Sequence, residues 1–199
     1  PQSFADAAAP CRAHVGKALQ LSVMAGVRCA AIETAVRGAG SARVVRAMPN
    51  TPALIGRGIA GLFAQSGVSE QERALVERVL QPTGSLLWVE REELLDAVTA
   101  LSGSGPAYVF YFIEAMVDAG VEMGLSAEHA RRLAQETFAG AAALAMQSSE
   151  PPAVLRERVT SKGGTTHAAI SSLESDAVKA AFMRALHAAR RRAEELGQA

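Results

Sequence analysis

Cysteine is scarce in this chain: Cys11 and Cys29 are the only two among 199 residues. Their spacing fits neither a CxxC redox pair nor a zinc site, which excludes a disulfide scaffold and points to two reduced thiols in a cytoplasmic protein. Net charge is missing too. Lys plus Arg and Asp plus Glu both number 20, so no basic field marks nucleic acid or a membrane surface as the main partner. No apolar run reaches the ~18 residues of a membrane span. No charged segment followed by an apolar stretch marks a secretory signal. The histidines, His14, His129, His167 and His187, stand apart from any carboxylate pattern, so no metal site is expected. Nor does a GxGxxG stretch occur anywhere.

What is present is an ordinary globular composition, 49% hydrophobic and 20% charged, in a length sufficient for one large domain or two small ones. The pattern changes near residue 91. Before it, Leu19–Met24, Ala42–Ala47, Ile59–Ala64 and Ser85–Val89 read as strands, and Asp6–Ala18, Cys29–Arg37 and Glu70–Leu80 as helices. Ser69 with Glu72 has the capping-box form, and Ala25-Gly26 and Gly38-Ala39-Gly40 punctuate turns. This alternation predicts a βαβ-type sheet. From Glu92 onward the pattern is helical. Ala107–Met123 is apolar almost all round, with Glu114, Asp118 and Glu122 in one stripe. Such a helix is expected to be mostly buried, against a second subunit or within a large single-chain core. Ser126 caps a helix to about Gln147, Pro151-Pro152 breaks the chain, Ala153–Val159 is short and helical, and Asp176–Leu196 is the last helix.

Three segments carry chemistry. Ser161-Lys162-Gly163-Gly164-Thr165-Thr166 precedes an apolar helical run, where backbone N–H groups converge on a carboxylate or phosphate; a plain capped helix start is the alternative. Leu101-Ser102-Gly103-Ser104-Gly105-Pro106-Ala107-Tyr108 joins the α/β part to the first long helix, with Pro106 suited to a first helical turn. It reads as a hinge, or as a place where a ligand approaches backbone closely. Arg46-Ala47-Met48-Pro49-Asn50-Thr51-Pro52 ends a strand, where ligands of open α/β sheets collect. Asn50 suits an amide such as a nicotinamide carboxamide, or a local turn bond.

Together these ordered segments resemble pyrroline-5-carboxylate reductases, and Pro152–Glu174 looks like that family's signature almost throughout. The resemblance implies α/β plus all-α: a partial Rossmann-like dinucleotide-binding domain over 1–91, then a helical dimerisation and substrate-binding domain over 92–199. It also implies that the chain as given begins after the family's first Gly-rich βαβ units, with Pro1-Gln2 partway through the cofactor domain. The implied activity is reduction of the C=N bond of pyrroline-5-carboxylate to L-proline with hydride from NADPH or NADH. Thr166 is implied as the catalytic position, orienting the ring nitrogen and relaying a proton. Gly163, Gly164, Thr165 and Thr166 would hold the substrate carboxylate, with Ser104 and Glu92 as further substrate contacts. Pro1, Met24, Ala25, Gly26, Pro49, Asn50, Gly105 and Pro106 would line the cofactor. A homodimer or larger assembly of dimers is implied, with no nucleic acid, membrane or metal partner. A non-catalytic dimerising relative and a reductase of another cyclic imine remain as alternatives. Lys162 and His167 stand where the family often has proline and an apolar residue, and Met24 where it usually has alanine.

Overall fold

The computed structural model describes residues 4–15, 18–36 and 43–198. The turn expected at Gly38-Ala39-Gly40, the end of the second helix at Arg37, and Pro1 lie outside the described residues. Two compact units form: residues 1–106 with 185–199, and residues 107–184. The expected functional boundary near residue 91 therefore does not coincide with the division in space. Residues 92–106 fold with the α/β unit, because Glu92 and Asp96 are ion-paired into it.

The first unit runs α1 (Phe4–Val15), β1 (Leu19–Ser22), α2 (Cys29–Val36), β2 (Arg43–Met48), a 3-10 turn (Thr51–Ile55), β3 (Gly58–Ala64), α3 (Glu70–Leu80), β4 (Gly84–Trp88), α4 (Leu94–Val98) and a π-helical turn (Thr99–Gly103). The sheet order is β1-β2-β3-β4. β1 and β2 are parallel, with Leu19 opposite Arg43 and Ser22 opposite Arg46. β3 and β4 are also parallel, with Gly58 opposite Gly84. The middle pair is antiparallel, Val45 opposite Ala64 and Met48 opposite Gly61, so the sheet is mixed: the expected βαβ units form as β1-α2-β2 and β3-α3-β4, joined by an antiparallel pair. The link from Met48 to Gly58 is shorter than the dozen or so residues that a parallel crossover needs. Gly84 permits the start of the β3–β4 pair: its φ is +133°, and a Cβ there would fall 2.0 Å from the Gly58 carbonyl oxygen. α3 forms as its capping box predicts, the Ser69 hydroxyl accepting from Glu72 N–H while the Glu72 carboxylate accepts from Ser69 N–H. The Ser69 amide is the first cause that holds the Glu72 carboxyl below its ordinary range.

Both faces of the sheet are covered. Val45, Ala47, Ala60 and Leu62 pack with Val68 and Val76 on one side. Val44 packs with Cys29 and Ile32 on the other, joined by Phe4, Met24, Val27 and Phe63. Consecutive buried residues on β2 point to opposite faces, which is why this strand reads as a continuous apolar run broken only by Arg46.

The second unit contains most of α5 (Gly105–Glu122), then α6 (Ala127–Gln147), α7 (Pro152–Arg158), α8 (Thr165–Ser175) and the start of α9 (Val178–Leu196). Ser126 caps α6 by accepting from His129 N–H. α5 and α6 approach at Gly120, where a Cβ would meet the Ala130 methyl at 2.9 Å. Phe182 sits edge-on to Tyr108 and Phe112, with centroids 5.7 and 5.6 Å away. Ala177, at φ 51°, separates α8 from α9, so the last helix starts later than the expected Asp176. The largest departure concerns α5. Only Gly120 is buried along it, while Phe110 is 63% and Tyr111 69% exposed. Among the described residues no single-chain core encloses this helix. An open apolar groove of about 510 Å³ also lies within this unit, lined by Phe112, Ile170, Leu173, Val178, Phe182 and Met183.

Candidate active site

The first unit brings two of the three segments together. Parallel pairing of β1 and β2 sends both chains out of the sheet on the same edge, β1 into Met24–Gly26 and β2 into Pro49–Asn50. Asn50 sits at the centre of that edge. Its Oδ1 accepts the Ile59 N–H at 3.0 Å, and its Nδ2 donates to the Ser102 hydroxyl at 3.3 Å. Asn50 thus makes neither a local turn bond nor a free amide. It ties the end of β2 to the start of β3 and to the Ser-Gly-Ser-Gly segment, with one Nδ2 hydrogen left over. Met48 reinforces the junction, since a Cβ on Gly103 would fall 2.5 Å from its Cε. Ser104 N–H donates to Thr99 O at 2.8 Å, closing the π-helical turn, and Gly105 and Pro106 open α5. A Cβ on Gly105 would meet nothing within 4 Å, so a ligand has room beside this backbone. In the turn after β1, Gly26 takes φ +73°. The Met24 side chain packs on the Cys29–Ile32–Val44 cluster. Pro1 lies outside the described residues.

Beneath this edge lies a charged network that the sequence did not reveal. Arg46, its side chain 5% exposed, donates from Nη1 to Glu92 Oε1 at 2.8 Å. The same carboxylate oxygen accepts the Cys29 N–H at 2.7 Å, at the start of α2, where a negative charge is favoured. Glu92 is thus engaged inside the first unit as an anchor. Burial pushes the Cys29 thiol up to about 12, with the Glu92 charge adding to the shift. Arg28 pairs with buried Asp96 at 2.5 Å. The available signal was a charged residue in the middle of a buried strand, which requires a buried partner. Among the described residues no group of three His, Cys, Asp or Glu side chains is placed to hold a metal ion.

The third segment lies in the second unit. Gly163 takes φ +76°, and Gly164 is the N-cap of α8 with no side-chain cap. The plain capped start is therefore not what forms. The first N–H groups of α8 have no intrahelical acceptor, which makes them available to an anion. Thr166 is half-buried, whereas Lys162, Thr165 and His167 are exposed.

Comparison with known proteins decides the family. The model for pyrroline-5-carboxylate reductase dimerisation matches residues 92–196. The pyrroline-5-carboxylate reductase of a Synechocystis species is 38% identical over 100% of this chain and 73% of its own length. This chain belongs to the pyrroline-5-carboxylate reductase family. The corresponding protein of Pseudomonas aeruginosa is 46% identical over 90% of this chain, which spans only 65% of that relative's length. A solved pyrroline-5-carboxylate reductase from Coxiella burnetii superposes with TM-score 0.89 at 38% identity, covering 98% of this chain and 73% of that one. The Plasmodium falciparum pyrroline carboxylate reductase, solved with NADP bound, gives TM-score 0.92 at 30% identity, over 99% and 78%. The fold of this reductase-family member is thus α/β plus all-α, with a Rossmann-like first part. Among the described residues no helix is long and apolar enough to cross a membrane.

Proposed function

We propose that this protein reduces the C=N bond of pyrroline-5-carboxylate to L-proline with NADPH or NADH, as a homodimer or an assembly of dimers. The observation that carries the reading is the edge of the parallel β1–β2 pair, where Asn50 is bonded to Ser102 and the Gly26 turn emerges alongside. Ligands of α/β sheets gather at such carboxyl ends. The backbone of Met24, Ala25 and Gly26, with Pro49, Asn50, Gly105 and Pro106, fits a dinucleotide's nicotinamide end, since the strand ends are polar and the Gly105 side is open. When bound, the cofactor supplies hydride.

The chain's own residues bind and orient. The N–H groups at Gly164, Thr165 and Thr166 hold the substrate carboxylate at the uncapped start of α8. The Thr166 hydroxyl both accepts and donates, so it orients the ring nitrogen and relays the proton that nitrogen gains. A hydroxyl is too weak an acid to act alone, so its contribution is alignment. Ser104 is kept in this reading as a further substrate contact. Glu92 serves by anchoring Arg46 and α2. Residues 1–91, joined by Gly105 and Pro106, carry the cofactor role, and the rest of 92–199 the substrate and dimer role. The exposed apolar face of α5 supports a second copy of the chain as its cover, because patches of this kind mark interfaces. A buried thiol in no disulfide suits the cytoplasm.

The test is NAD(P)H oxidation with pyrroline-5-carboxylate by wild type and Thr166→Ala. Wild type turns over, and the variant loses about 10²-fold or more in kcat with its melting temperature unchanged. Dimers that bind neither nucleotide nor substrate would replace this reading with a dimerising module. Unchanged turnover in the variant would remove Thr166 from the mechanism.

A further inference from the structure

The turn after β1 is held from two places far away in the sequence, and both holds pass through or beside Arg28. The first is Asp96 at the start of α4, whose Oδ2 accepts from Arg28 Nη2 at 2.5 Å. Asp96 is buried, so this guanidinium is the counter-charge it needs. The second is the end of α9. A Cβ on Gly26 would lie 3.0 Å from Leu196 Cβ and 3.1 Å from the Leu196 carbonyl oxygen. A Cβ on Gly197 would lie 2.7 Å from Arg28 Nε and 3.0 Å from its Nη2. The last turn of α9 thus rests directly on the turn, and the guanidinium lies against the helix's C-terminal end, where a positive charge is favoured. Arg28 also starts α2, its carbonyl accepting from the N–H groups of Ala31 and Ile32. Its Nη1 is buried without a partner among the described residues.

We propose that Arg28 is a positioning residue: braced between Asp96 and the end of α9, it sets the Met24–Gly26 backbone for the dinucleotide. This rests on the reductase reading above. A surface turn of this kind, with a left-handed glycine, has many conformations of similar energy. A brace from two remote segments leaves one of them, so that binding does not have to order the turn. Arg28 touches no reacting atom, so its loss acts on nucleotide affinity and spares the chemical step.

The experiment compares Arg28→Ala, Arg28→Lys and Gly197→Val with wild type, each checked by circular dichroism to be folded at the assay temperature. In Arg28→Ala the KM for NAD(P)H rises about tenfold, while kcat and the KM for the imine acid stay within about twofold. Arg28→Lys, which keeps the charge for Asp96, regains most of the affinity. Gly197→Val, which pushes the guanidinium aside, moves the same way as Arg28→Ala and serves if that variant does not fold. A second readout needs no turnover. In a Cys11→Ser background the buried Cys29, next to Arg28, is labelled about tenfold faster by a thiol reagent in Arg28→Ala than in wild type, and amide exchange over 23–28 accelerates in parallel. Unchanged nucleotide KM in the active enzyme, or a fall in kcat alone, overturns the proposal. If wild type shows no turnover, the reductase reading fails by itself. Labelling and exchange then judge the brace: faster in Ala and restored in Lys supports it, and no change overturns it.

Discussion

Removing the Glu92 carboxylate should leave a charge stranded inside the first unit. Arg46 lies on the buried β2 strand with its side chain 5% exposed, its Nη1 bonded to Glu92 and its Nε without a partner among the described residues. Glu92→Ala therefore uncovers a guanidinium that has no other ion-pair partner among the described residues, and it also removes the acceptor of the Cys29 N–H. Breaking one side of a buried pair costs about 3–5 kcal/mol. For a chain of this size each kcal/mol is worth ~2–4 °C, so the midpoint should fall by roughly 6–20 °C. The assay is thermal and urea unfolding of wild type, Glu92→Ala and the double variant Arg46→Met with Glu92→Ala. If the loss comes from the stranded charge, the double variant recovers most of it, because no buried charge is left. The thiol gives an independent sign. Glu92 raises the Cys29 pKa second only to burial, so in Glu92→Ala thiolate absorbance should appear at lower pH than in wild type, though still above the ordinary range. A loss below about 1 kcal/mol, the size of a surface pair, or a double variant no better than the single one, would refute this account of the network.

Three further outcomes follow from the same geometry. Gly84→Ala forces a Cβ to 2.0 Å from the Gly58 carbonyl at a φ that side chains rarely adopt, so it should separate the start of β3 from β4 and cost more than the ~1 kcal/mol of an ordinary substitution, read by chemical unfolding. The Cys29 thiol, raised to about 12 in the folded chain from an ordinary 9.0, keeps its proton where the unfolded chain has lost it. Its contribution to stability is therefore complete below pH 9.0 and is lost as pH climbs towards 12; Cys29→Ala should flatten that part of the stability–pH curve. Tyr111→Asp, at a position 69% exposed on α5, should turn dimers into monomers by sedimentation analysis while leaving the first unit's melting intact.

Much of the fold is legible in the residue order. β3, α3 and α6 appear almost at the residues their apolar runs and caps indicate, because those signals are local: a capping box at Ser69, a serine cap at Ser126, a short apolar run along β3. The three chemistry-bearing segments stood out because glycine, threonine and proline clusters have few other uses in such helical and extended surroundings. The α4 helix and the π-helical turn at Thr99–Gly103 went unseen, being one-turn elements whose form is set by what they pack on, such as Val98 over Gly61.

The chain's residue order alone determined the α/β-then-α organisation, most of the helix starts and which segments are candidates for a site. Periodicity, capping and turn chemistry act over a few residues, so they can be read along a line. The tertiary structure decided the antiparallel centre of the sheet, the bond from Asn50 to Ser102, the engagement of Glu92 with Arg46 and the seat of Leu196 on Gly26. Each of these joins residues far apart in the chain, and their energies come from burial and charge pairing, which no local pattern encodes.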